Sequence, residues 1–283
     1  MKKLIILLGV VGVSLSAILV RLSGAPSMVL VFYRMLFATV ILLPTALIRN
    51  RDELKMMTKQ EFLLSALSGV FLGLHFVCYF SSLRYTTIAA SVALVDTEVF
   101  FVALISRLLW KKTIPLRGWL GIGLTFLGSI LIAGSDLGGG GSALFGDLLA
   151  VLGAAFVSIY TIIGTQVRKT RSTTVYTTVV YAMGAVTVGI MLLVTGVSVV
   201  GYGPVDYLAG LGLALFCTLL GHSVFSWGLK YESPAFVSTV KLLEPVFATI
   251  LGLFLFREVP GAAVIIGGLL VIFGVAWYAR HEK

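Results

Sequence analysis

The stretch Leu229 to Pro260, LKYESPAFVSTVKLLEPVFATILGLFLFREVP, is apolar for most of its length yet carries Lys241 and Glu244 near its middle. An earlier stretch, Leu83 to Pro115, reads LRYTTIAASVALVDTEVFFVALISRLLWKKTIP. Shifted by 146 positions the two align, Leu83 on Leu229, Tyr85 on Tyr231, Ala89 on Ala235, Glu98 on Glu244 and Phe101 on Phe247. The agreement runs on to Gly121 over Gly267 and Gly128 over Gly274. The chain is therefore an internal duplication, with a carboxylate at the centre of an apolar segment in each copy. An ionisable group inside a membrane span is a functional-site hypothesis by default.

Of the 283 residues, 59% are hydrophobic and only 12% charged, the composition of a polytopic membrane protein. The apolar residues come in blocks of about 20, the length that crosses a bilayer as a helix. A net charge of +9 raises the question of nucleic acid. The basic residues sit instead in short loops between spans, where the positive-inside rule places them. Cys78 and Cys217 both lie in apolar segments, so neither a disulfide nor a thiolate metal site is expected. The four glycines at 138–141 lack the Lys-Ser/Thr of a phosphate loop. With no metal spacing and no nucleophile–base set either, the sequence predicts no enzyme, no metal and no cofactor.

The pattern predicts ten spans, at about 1–20, 28–48, 62–83, 86–109, 118–134, 146–166, 173–195, 207–229, 234–256 and 261–279. The loop 49–61 is the most charged stretch, and 135–145 is a Gly-rich extracytoplasmic connector. It divides a first unit, 1–134, from a second, 146–283. With both termini cytoplasmic, only Arg21, Arg84 and Arg257 fall outside, and Arg34, Arg107 and Lys241 fall within spans. Every other Lys and Arg is then cytoplasmic. Five spans per copy is an odd number, so the second copy is inserted upside down. The expected fold is all-α and integral to the membrane, ten helices in two inverted five-helix repeats. Secondary transporters are built this way, with the site at mid-membrane where the repeats meet.

The chain resembles an EamA-type member of the drug/metabolite transporter superfamily over nearly its whole length. The resemblance rests on RLSGAPSMVLVFYRMLFA (21–38) and on LLEPVFATILGLFLFREVP (242–260), with Glu244, Pro245 and Glu258 in the family's places. The first copy departs from the pattern, with Val99 after Glu98 and Lys111–Lys112 near its end. The resemblance implies a ten-helix carrier of small metabolites whose cavity is lined by spans one, three, four, six, eight and nine.

Each candidate residue has a functional and a structural reading. Glu98 and Glu244 bind a substrate amine or a proton, or they bond backbone freed by Pro245. Asp96 has no acidic counterpart, its mate being Leu242, and so suits tuning of the cargo. On a continuous helix it lies about 200° from Glu98, so the two are not expected to share a face. Lys241 is one turn from Glu244, where it either neutralises that acid or binds a substrate carboxylate. Arg34 is expected to snorkel from the outer end of span two in a structural or gating role. His75 and His222 are candidate proton-coupling residues. Tyr79, Tyr160 and Trp227, with Phe76 and Phe225, are candidates to hold a cation on their rings.

These readings converge on a secondary transporter of small organic metabolites in the plasma membrane, an exporter working by alternating access. Acids together with a lysine point to amino acids or related zwitterions. Its partners are then a small-molecule substrate, the lipid bilayer and a proton as coupling ion. The rivals are a carrier of organic cations such as quaternary ammonium compounds, and a non-transporting membrane sensor or assembly subunit.

Overall fold

The structure, a computed structural model, describes residues 2–86, 88–111, 114–134, 140–257 and 261–281. Lys112, Glu258, Lys283 and residues 135–139 of the connector lie outside these. The described residues form helices and loops, with no strand among them. In order they are α1 (Lys2–Leu22), α2 (Ser27–Ile48), α3 (Arg51–Lys55), α4 (Lys59–Ser82), α5 (Ile88–Val95), α6 (Glu98–Trp110), α7 (Leu116–Gly134), α8 (Gly140–Val167) and α9 (Thr173–Thr195). Then follow α10 (Pro204–Gly212), a π-helical stretch (Leu213–His222), α11 (Ser223–Gly228), α12 (Pro234–Lys241), α13 (Glu244–Phe256) and α14 (Ala262–His281). Seven helical runs among the described residues are long and apolar enough to cross a membrane. The chain is an all-α membrane protein.

The expected spans fall on these helices with four differences. The charged loop carries a short helix, α3, whose first turn holds Asp52 and Glu53, acids that suit a helix N-terminus. Helix α8 already begins at Gly140, inside the expected connector. The other two differences are breaks. Expected span four is interrupted at Asp96–Thr97 and span nine at Leu242–Leu243, two sites 146 residues apart. Each break tightens the backbone to i→i+3 hydrogen bonds, Thr97 N to Leu94 O (3.2 Å) and Leu243 N to Val240 O (3.2 Å). In the second half Pro245 has no N–H to give the Lys241 carbonyl. In the first half Val99 stands in its place and its N–H turns to the Asp96 carbonyl (3.4 Å), while the Thr97 hydroxyl adds a bond to the Leu94 carbonyl at 2.7 Å.

Close packing depends on small residues where backbones meet. Helices α7 and α14 cross antiparallel. A Cβ on Gly121 would stand 2.9 Å from the Gly274 carbonyl, and one on Gly128 would stand 2.5 Å from that of Gly267. In sequence Gly121 is the mate of Gly267, and Gly128 of Gly274. Each glycine thus meets the mate of the other, the reciprocal pattern of a two-fold contact. Helix α4 approaches α9 in the same way, with a Cβ on Gly73 only 3.2 Å from the Gly184 carbonyl.

The N-termini of α4 and α10 form a second matched pair. Glu61 accepts from Thr58 N (2.9 Å) and Asp206 from Gly203 N (3.0 Å), each at the third helical position. The two caps lie 145 residues apart, whereas the C-terminal caps of these helical runs, Leu83 and Leu229, lie 146 apart. The second run therefore holds one extra residue, which the π-helical stretch absorbs.

Candidate functional site

The interruptions of the two broken spans bring the central ionisable groups together. Val13 and Ser16 of α1, His75, Phe76 and Tyr79 of α4, and Val95, Asp96 and Glu98 at the first break line one small cavity. Val157 of α8, His222 at the end of the π-helical stretch, Phe225 of α11, and Lys241 and Glu244 at the second break complete it. These are spans one, three, four, six, eight and nine. The cavity measures about 20 Å³, room for about one water molecule, so the site is contracted around its own side chains. A larger groove of about 770 Å³ between α2 and α9 is lined by side chains such as Phe32, Leu36, Val186 and Ile190. Its lining carries no ionisable group.

The geometry corrects three expectations. Lys241 does not pair with Glu244. Its Nζ donates to Glu98 Oε1 at 2.8 Å, with both side chains buried. The break directly after Lys241 removes the continuous helix on which i and i+3 share a face. Asp96 and Glu98 do face the same cavity, because the break falls between them. Arg34 does not snorkel. It is fully buried, donating from Nε to Thr218 Oγ1 (2.7 Å) and from Nη1 to Ser16 Oγ (3.0 Å). Its guanidinium lies 3.7 Å over the Phe76 ring, so Arg34 backs the cavity through two of its lining residues.

The remaining candidates divide. Tyr79 lines the cavity and its hydroxyl points at Glu244 Oε1, a long 3.5 Å contact. Glu244 has no ion pair among the described residues. Tyr160 is buried one layer out, bonded to Ser226 Oγ at 2.7 Å with its ring 6.2 Å from His222. Trp227 is half-buried and packs on Tyr231 at 4.8 Å, which leaves it out of the aromatic group around the cavity. The His75 and His222 rings are 6.3 Å apart without a direct hydrogen bond. His75 Nδ1 is held by the Gly153 carbonyl at 2.9 Å. His222 Nδ1 and Asp96 Oδ2 are buried with no hydrogen-bond partner among the described residues.

Two features escaped the sequence reading. One is the pair Ser16 and Thr218 that fixes Arg34, ordinary small polar residues with no motif around them. The other is the set of contacts at the helix ends. Glu61 accepts from Arg171 Nη2 (2.7 Å) and Thr170 Oγ1 (2.7 Å) in the α8–α9 loop. Asp206 accepts from Ser23 Oγ (2.6 Å), Gly24 N (2.9 Å) and Ala25 N (3.2 Å) in the α1–α2 loop. The pattern Thr58-x-x-Glu61 is a legible capping signal, but its partners across the fold are not.

The arrangement offers three carboxylates, one lysine and flanking rings in an enclosed space. It can bind a small polar molecule through ion pairs. Among the described residues no group of His, Cys, Asp and Glu is placed to hold a metal ion.

The model of the EamA-like transporter family matches this chain twice, over residues 2–134 and 144–280. An uncharacterized transporter of Archaeoglobus fulgidus is 29% identical over 87% of this chain and 85% of its own length. The pseudopaline exporter CntI of Pseudomonas aeruginosa is 24% identical over 91% of this chain and 88% of its own. A solved crystal structure superposes with a TM-score of 0.79 at 19% identity, covering 99% of this chain and 97% of that one.

Proposed function

Because the chain belongs to the EamA-like transporter family, we propose that it is a secondary transporter that exports amine-bearing organic metabolites, amino acids or related zwitterions foremost, by alternating access. The observation that carries this reading is the enclosed cavity in which Asp96, Glu98, Glu244 and Lys241 meet. Carboxylates there suit an ammonium group, and a lysine suits a carboxylate. A low-dielectric enclosure strengthens both interactions. The antiparallel, reciprocal crossing of α7 and α14 supports two inverted five-helix units, 1–134 and 146–283, about the 135–145 connector. A relative named as an exporter supports the outward direction, and with it the plasma membrane.

On this reading Glu244 is the primary anchor of the cargo ammonium, since it lacks a cation of its own. Lys241 leaves Glu98 to meet the cargo carboxylate, and Tyr79 positions Glu244. A second reading, a carrier of organic cations, is favoured by one observation. Lys241 is already occupied by Glu98, while Asp96 and Glu244 form no ion pair among the described residues. Flux of amino acids, of their decarboxylated amines and of a quaternary ammonium compound into proteoliposomes separates the two. Amino acids carried faster than their amines support the first reading, and the reverse supports the second. No flux of any of them above protein-free liposomes contradicts both.

A further inference from the structure

The charges around the cavity do not balance a simple zwitterion. The acids are Asp96, Glu98 and Glu244, and the cations are Lys241 in the lining and Arg34 directly behind Phe76 and Ser16. His75, His222 and Tyr79 complete the titratable side chains in the described lining. Lys241 answers Glu98. Arg34 donates to Ser16 and Thr218 and stacks on the Phe76 ring, all neutral partners, so its charge stays in the balance, and its Nη2 has no hydrogen-bond partner among the described residues. Three carboxylates against these two cations leave a formal deficit of one positive charge, which a molecule with equal charges of both signs does not supply. Asp96 is the odd one of the three acids. It is 3% exposed and lines the cavity, and its Oδ2 lacks any hydrogen-bond partner among the described residues. A buried carboxylate oxygen in that state is costly unless a ligand meets it. Leu242 holds the equivalent position in the second half, so the duplication does not require an acid there.

We infer that Asp96 forms a second ammonium subsite and that the cargo class is a diamino acid, a small molecule with two amines and one carboxylate. One amine meets Glu244, the second meets Asp96, and the carboxylate meets Lys241. The cargo brings the one positive charge that the site lacks. The inference rests on the amino-acid reading above, and its test keeps the two apart.

The probes are L-lysine, L-norleucine, which lacks the side-chain amine of lysine, and cadaverine, which lacks its carboxylate. Binding is measured on the purified full chain in lipid nanodiscs, with wild type, Asp96→Asn and Asp96→Leu. Asp96→Leu installs the residue of the equivalent position, so a fold that tolerates Leu242 has a second chance to accept the variant. The expected result is lysine bound at least about tenfold tighter than norleucine by wild type, with that preference lost in either variant. Such a factor is the size expected of one charge-assisted hydrogen bond. Equal binding of lysine and norleucine overturns the second subsite and leaves the amino-acid reading standing. So does norleucine binding accompanied by uptake of one proton, which would assign the missing charge to the proton. Binding of cadaverine above both amino acids overturns the amino-acid reading itself, and binding of none of the three overturns both.

A different observation carries a second inference. Glu61 and Asp206 occupy matched positions at the starts of α4 and α10, and each grips the loop joining the first two long helices of the other half. They sit at opposite ends of the bundle. Helix α4 starts beside Glu61, and Arg84, just past its far end, donates to the Ala25 carbonyl at 2.9 Å, beside the Asp206 cluster. Both grips are closed here, and the cavity between them is contracted. We infer that Glu61 and Asp206 are two latches, one for each face, which open in turn during transport. The test places one cysteine at Val157 in a Cys78→Ser, Cys217→Ser background. A membrane-impermeant maleimide is then applied from each side. Glu61→Ala, or Arg171→Ala from the other partner, is expected to raise labelling about tenfold from the Lys55 side alone. Asp206→Ala, or Ser23→Ala, is expected to do so from the opposite side alone. Labelling that rises from both sides together, or from neither, overturns the assignment.

Discussion

Lys241 Nζ lies 2.8 Å from Glu98 Oε1 across the meeting of the two broken helical runs, 143 residues away in sequence. The pair joins α12 of one half to the start of α6 in the other. Lys241→Ala therefore strands a buried carboxylate, at an expected cost of about 3–5 kcal/mol. Removing both charges is milder, so Lys241→Ala with Glu98→Gln is expected to regain most of the lost melting temperature. Adding Glu244→Gln in place of Glu98→Gln is expected to regain little. Melting curves of the three variants decide, and rescue by the Glu244 change would contradict the pairing.

The α7–α14 crossing makes a paired prediction. A Cβ at Gly128 meets the backbone of Gly267 and Val271, which cannot swing aside, whereas nothing lies within 4 Å of one at Gly123. Gly128→Ala is expected to lower the melting temperature by several degrees, in line with the about 1–3 kcal/mol of overpacking. Gly123→Ala on the same helix is expected to leave it unchanged. Equal effects would contradict the crossing.

Arg34 is held as a fork. Lysine keeps the charge but loses the planar geometry that reaches Thr218 and Ser16 and stacks on Phe76. Arg34→Lys is expected to destabilise by about 1–3 kcal/mol. A melting temperature equal to wild type would show that charge alone matters there.

Sidedness has its own check. Lys55 and Lys169 lie at the end of the bundle that holds Glu61 and Arg171, and Gly201 lies close to Asp206 at the other. Single cysteines at Lys55 and Lys169 are expected to be labelled from the cytoplasm and one at Gly201 from outside. Labelling of Gly201 from the Lys55 side would contradict the inverted arrangement.

The sequence carried the helical class and nearly all helix positions, because long apolar runs in a membrane leave the backbone no other way to satisfy its hydrogen bonds. It also carried the central acids through the duplication. It did not carry the break at Asp96–Thr97, where Val99 rather than proline follows Glu98 and the Thr97 hydroxyl does the work. That omission separated Asp96 from Glu98, and the matching break at Leu242–Leu243, equally unread, left Lys241 placed on Glu244, since both inferences assumed an unbroken helix. Arg34 looked like a residue free to reach the interface because Ser16 and Thr218 are distant in sequence. Thr58-x-x-Glu61 is a capping signal in the sequence, but the loops that Glu61 and Asp206 grip depend on tertiary packing alone.

Glu244 gives the most direct test of the account. It faces the cavity with one long contact from Tyr79 and no ion pair among the described residues, so the fold asks little of its charge. The measurement is amino-acid flux in proteoliposomes for wild type and Glu244→Gln, beside melting curves for both proteins. The account predicts flux reduced at least about tenfold, the scale of one charge-assisted contact to cargo, with the melting temperature within about two degrees of wild type. Unchanged flux, or loss of folded protein in proportion to loss of flux, would contradict it and make Glu244 part of the scaffold.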